Sequence, residues 1–129
     1  MLQANAVFSG FSVDDLAKAK DFYVKVLGLK LRDDSMGLNL GLPYGGEIFI
    51  YDKKDHQPAS FTILNFVVDD IDKAVDELVT DGVEFEHYNN MPMNQDEKGI
   101  ARGLSVNQGP DIAWFKDPAG NILAVLQDK

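Results

Sequence analysis

The side chains with chemistry to offer are few. There are two histidines, one tryptophan and 21 carboxylates, and there is no cysteine. Lacking cysteine, the chain can form no disulfide, no thiolate metal site and no thiol nucleophile. His56 lies in a polar stretch, residues 52–60, and reads as a solvated loop residue. His87 follows the second helical pattern, so the two could share an ion only if distant elements converged. The serines Ser9, Ser12, Ser35, Ser60 and Ser105 stand in no nucleophile-elbow sequence. Gly41…Gly45-Gly46 reads as a turn, without the Lys-Ser/Thr of a phosphate loop. The pairs Asp33-Asp34 and Asp96-Glu97 read as exposed turn residues; only a buried carboxylate would serve as a base.

The elements that hold these residues come in two copies. Val13-Asp14-Asp15-Leu16…Lys18-Ala19…Asp21 recurs as Val68-Asp69-Asp70-Ile71…Lys73-Ala74…Asp76, at a constant offset of 55 residues. In each copy an apolar, β-branched run precedes the paired aspartates and predicts a strand, over 6–13 and 61–68. The aspartates can cap the helices that follow, predicted over 15–27 and 70–81. Gly28 and Gly82 suit the left-handed position past a helix end. Further strands are predicted over 29–33, 37–42 and 47–52 in the first copy. In the second they are predicted over 83–88, 112–116 and 122–127. Asp117-Pro118-Ala119-Gly120-Asn121 is the turn between the last two. Residues 1–129 therefore read as a single α+β domain with repeats at about 4–53 and 60–128. The second repeat carries an extra stretch between Asn89 and Gly109, a candidate lid holding Met91, Met93 and Arg102.

Length and composition narrow the class. A chain of 129 residues can bury a packed core without staples. Met1 to Asn5 lack the basic and apolar segments of a signal peptide, and no apolar run is long enough to span a bilayer, so a cytoplasmic protein is expected. The net charge of −9 argues against nucleic acid as a partner. The charge is uneven, about −1 over residues 1–64 and −8 over 65–129. That surplus reads mainly as a solvated helix face at Asp69, Asp72, Asp76 and Glu77, and it would also attract a cationic ligand.

Val13-Asp14-Asp15-Leu16…Phe22-Tyr23…Leu27-Gly28-Leu29, with Ala113-Trp114-Phe115-Lys116-Asp117-Pro118-Ala119-Gly120-Asn121, resembles the vicinal oxygen chelate superfamily. That superfamily includes glyoxalases, extradiol dioxygenases and bleomycin-resistance proteins. The resemblance covers essentially the whole chain. It implies two βαβββ repeats whose curled mixed sheets surround a cupped pocket. It also implies metal ligands, typically His or Glu, on the first and last strand of each repeat. Those positions fall on Phe8, Phe49, Ile63 and Ala124, and a one-residue slip brings in no better ligand. None of the four has a lone pair for a divalent ion. The chain is thus expected to be a branch of the superfamily without metal or other cofactor.

An apolar cup is then expected, floored by Phe8, Phe49, Ile63 and Ala124. Tyr51 shares strand parity with Phe49, and Trp114 is aimed inward by its own parity. Arg102, Met91 and Met93 would close the rim. The favoured function is binding or sequestering a small, cationic or aromatic molecule. The alternative is an enzyme of the same superfamily, of lyase, isomerase or dioxygenase type, using an unrecognised ion or acid–base group. A dimeric interaction protein without a small ligand is a third reading. A homodimer is expected because two curled sheets leave strand edges to cover.

Overall fold

A computed structural model describes residues 1–89 and 94–129. Contacts divide the chain into two units, Met1–Pro58 and Ala59–Lys129. The first contains β1 (Ser9–Val13), α1 (Leu16–Lys20), β2 (Lys30–Asp33), β3 (Leu38–Gly41) and β4 (Glu47–Asp52). The second contains β5 (Thr62–Val67), α2 (Ile71–Thr80), β6 (Ala101–Arg102), β7 (Asp111–Lys116) and β8 (Ile122–Gln127). The sheets have matching orders, β1-β4-β3-β2 and β5-β8-β7-β6. In each, the first strand runs parallel to the last and the other pairs are antiparallel. The sequence echo is therefore an architectural repeat, and the fold is α+β.

Both helices begin as their aspartates require. Asp15 and Asp70 are extended, and their carboxylates accept hydrogen bonds from Lys18 N and Lys73 N, both at 3.1 Å. Gln127 on β8 adds a further cap, its Oε1 accepting from Ile71 N at 3.0 Å. The first helix does not stay α-helical over residues 15–27. Asp21–Val26 is wound more widely, as a π-helix, and Leu27 N donates to Phe22 O at 3.0 Å. Gly28 and Gly82 then take φ of +74° and +95°.

Each sheet buries one face. In the first unit Val13, Leu38, Leu40, Ile48 and Ile50 share the face toward the helix, with Ala19 and Tyr23 in the same core. In the second unit Ala113, Phe115, Leu123 and Val125 pack beneath Ile71 and Val75 of α2. The hairpin between β7 and β8 is fixed by its aspartate. Asp117 Oδ1 accepts from Ala119 N and Asn121 N, and Oδ2 accepts from Asn121 Nδ2, all at 2.9 Å.

The expected strand over 83–88 does not form. Phe85 makes a single bridge to Phe115, and the edge place in the sheet goes to β6, inside the extra stretch. A short 3-10 turn, Leu104–Val106, follows it. Among the described residues no helix is long and apolar enough to cross a membrane.

Candidate functional site

The face of the first sheet turned away from its helix carries aromatic rings. Gly10 pairs with Phe49 and Ser12 with Tyr51, so these residues share that face. Phe8 lies just before β1, 64 % exposed, with its ring edge-on to Phe49 at 6.5 Å. Phe49 and Tyr51 stack at 5.9 Å. The row needs glycine beneath it: a Cβ at Gly37 would come within 3.0 Å of the Phe49 ring and 2.7 Å of Ile50 O. At the end of the row Ser12 Oγ meets His56 Nδ1 at 2.6 Å, both residues half-buried. The pair is separated by 44 residues, and no spacing in the sequence signals it.

The open face of the second sheet carries Trp114. Ala124 is its cross-strand partner, and Asn65 is next across the sheet. The indole Nε1 donates to Thr62 Oγ1 at 3.1 Å, and Tyr88 packs edge-on against the ring at 5.7 Å. Burial, together with the charge of Glu86, raises the Tyr88 phenol above its ordinary value, so its hydroxyl stays protonated and can donate. Ser60, Phe61, Thr62, Tyr88, Trp114 and Ile122 line a groove of about 190 Å³. Tyr88, Phe61 and Thr62 were not among the expected contacts, although Phe61 and Thr62 open a predicted strand. Ala124 is fully buried rather than open to the groove. Ile63 sits where the β5–β8 register shifts, so it is the extra residue of a bulge.

Arg102 has another task. Its register partner Asp111 is on the helix side of the sheet, opposite to Trp114. The guanidinium grips Asp72 of α2 with both nitrogens, Nη1 to Oδ2 at 3.0 Å and Nη2 to Oδ1 at 2.8 Å. It also donates from Nε to Asp96 at 3.1 Å. Lys98 joins in through Asp72 and Asp76. Donation by Arg102, aided by Lys98 and opposed by partial burial, lowers the Asp72 pKa to about 2. Arg102 thus fastens the extra stretch to α2. Met91 and Met93 lie outside the described residues.

The four positions at which the resemblance implies metal ligands do not fit a metal ion. Phe8, Phe49, Ile63 and Ala124 offer no donor atom there. Among the described residues, no three His, Asp or Glu side chains gather where one ion could join them.

Residues 6–125 match the model of the glyoxalase/bleomycin resistance protein/dioxygenase superfamily, and the chain belongs to that superfamily. Solved structures agree. TnmS3, an antibiotic binding protein from Streptomyces sp. CB03234, is 26 % identical over 99 % of this chain and 100 % of its own, with a TM-score of 0.67. A glyoxalase/bleomycin resistance protein from the same organism is 27 % identical over 94 % of this chain and 100 % of its own, with a TM-score of 0.60. Lactoylglutathione lyase from Agrobacterium tumefaciens is 19 % identical over 97 % and 95 %, with a TM-score of 0.64, and shares the fold alone. A comparison with curated proteins gives no match.

Proposed function

We propose that this chain binds or sequesters a small aromatic molecule, without the metal that the superfamily resemblance implies. One observation carries the reading: apolar residues stand at the ligand positions, and aromatic rings line the open sheet faces beside them. The similarity to an antibiotic binding protein supports it. Two surfaces are proposed, each taken by itself: Phe8, Phe49 and Tyr51 on the first sheet, and Trp114 on the second, with Ile63 and Ala124 shaping the surface around the tryptophan. The carboxylate surplus favours a cationic occupant over an anionic one.

A thermal-shift screen of planar aromatic compounds, matched in pairs as cations and neutral analogues, tests this. A ligand at a hundred times its Kd stabilises the fold by about 2.7 kcal/mol. At least one compound is expected to raise the melting temperature and change Trp114 emission, and the cation of a pair to do so at lower concentration. A panel without any saturable shift at millimolar concentration sinks the binding reading; anionic analogues outperforming cations sinks the charge preference.

A further inference from the structure

We infer that Ser12 is a nucleophile activated by His56, giving the first unit an esterase-like acyl-transfer activity toward aryl esters. This goes beyond binding and needs no contribution from the Trp114 groove. At 2.6 Å the Ser12 Oγ–His56 Nδ1 contact is as short as a strong hydroxyl hydrogen bond. In the tautomer that leaves Nδ1 without a hydrogen, the imidazole accepts from the Ser12 hydroxyl in that bond, which is the arrangement of a serine–base pair. The pair is set up by backbone as well as by its own contact. Lys53 N donates to Val13 O, and His56 N donates to Lys53 O, both at 3.0 Å, so the turn bearing His56 is tied to the end of β1.

The surroundings choose the substrate class. Tyr51 is the register partner of Ser12, and the Tyr51–Phe49–Phe8 row runs away from it along the same face. Gly10, two residues before Ser12 on that face, has no side chain to obstruct a flat group lying against the rings. An ester with an aromatic group fits this surface. Ser12 Oγ forms a bond to the ester carbonyl carbon while its proton passes to His56. The ester C–O bond then breaks, and the departing alcohol takes that proton. Water adds to the acylated Ser12 with a proton going to His56. The carboxylic acid leaves, and Ser12 recovers its proton. No cofactor or oxidant is required.

The test uses the full chain and an aryl fluorophosphonate, which forms an Oγ–P bond with loss of fluoride. Intact mass should show one adduct per chain, and peptide mapping of the wild type should put it on Ser12. Ser12→Ala should abolish the adduct, and His56→Gln should slow its formation at least tenfold. Thermal melting and Trp114 emission check that both variants fold. Should Ser12→Ala unfold, the wild-type map and His56→Gln still decide. The inference is overturned by a wild type that takes no label, by an adduct mapped to another residue, or by His56→Gln labelling at the wild-type rate.

Discussion

Trp114 shows how one side chain serves packing and exposure together. Its indole is half-buried, closes a hydrogen bond to Thr62 and still lines an open groove. Trp114→Phe keeps most of the packing and loses that bond, a cost of about 1 kcal/mol in folding stability. Trp114→Ala should cost roughly 3 kcal/mol of stability and, measured on the folded fraction, more than about 1 kcal/mol of ligand binding. Binding at wild-type affinity by both variants would remove Trp114 from the site. At the residues that replace metal ligands, dialysed protein should carry no stoichiometric zinc, nickel, iron or manganese by elemental analysis. A full equivalent, lost to chelator together with a glyoxalase or dioxygenase activity, contradicts that. The sheet faces of Trp114 and Phe49 were legible in the sequence because strand parity depends only on counting. Ser12 and His56 were not, because their meeting depends on where a turn folds back over β1. Arg102 looked like a rim residue for a similar reason: its side of the sheet follows from β6, an element too short to announce itself.

The helix α2 illustrates what elements contribute. Its Asp70 cap and its apolar stripe were legible because both obey local rules, and so was the Asp117-to-Asn121 hairpin. The strand expected over 83–88 was not correct. Alternation there is satisfied by one bridge from Phe85 to Phe115, while Ala101–Arg102 pairs with β7. Charge helps hold β6 to α2, through Arg102 and Asp72. Asp72 has a folded pKa of about 2 against an ordinary 3.8, so the folded state binds fewer protons there. That stability is fully present above about pH 4 and is lost as pH falls toward 2. Its size is modest, on the order of 1 kcal/mol or less, because the Asp72 and Arg102 side chains are 48 % and 34 % exposed and screened by water. Urea midpoints followed from pH 5 to pH 2 should fall in the wild type, and fall less in Arg102→Met. Molar salt should reduce the difference. Equal slopes for the two proteins would mean that the pairs do not couple folding to pH.

At the scale of the molecule, the two edge strands of each sheet differ in charge. β2 carries Lys30, Arg32 and Asp33, charges that discourage pairing with a foreign strand. β6 is only two residues long and is flanked by the Arg102 clamp. The opposite edges differ. β1 reads Ser-Gly-Phe-Ser-Val and β5 reads Thr-Ile-Leu-Asn-Phe-Val, neither with a charged residue. Uncharged edge strands of this kind are covered in stable proteins, since their free N–H and C=O groups otherwise recruit other chains. Val67 and Phe8 are also exposed, at 63 % and 64 %, and add apolar area beside those edges. A second copy of the chain, related by two-fold symmetry, is the partner expected to protect them, because an isologous contact closes and leaves no edge to propagate. Light scattering at micromolar concentration should then give twice the 14.3 kDa chain mass. A lysine introduced at Val67, pointing a charge out of β5, should shift that mass toward the single chain without changing the helical signal in circular dichroism. A wild-type mass equal to one chain, unchanged up to millimolar concentration, rules out the dimer.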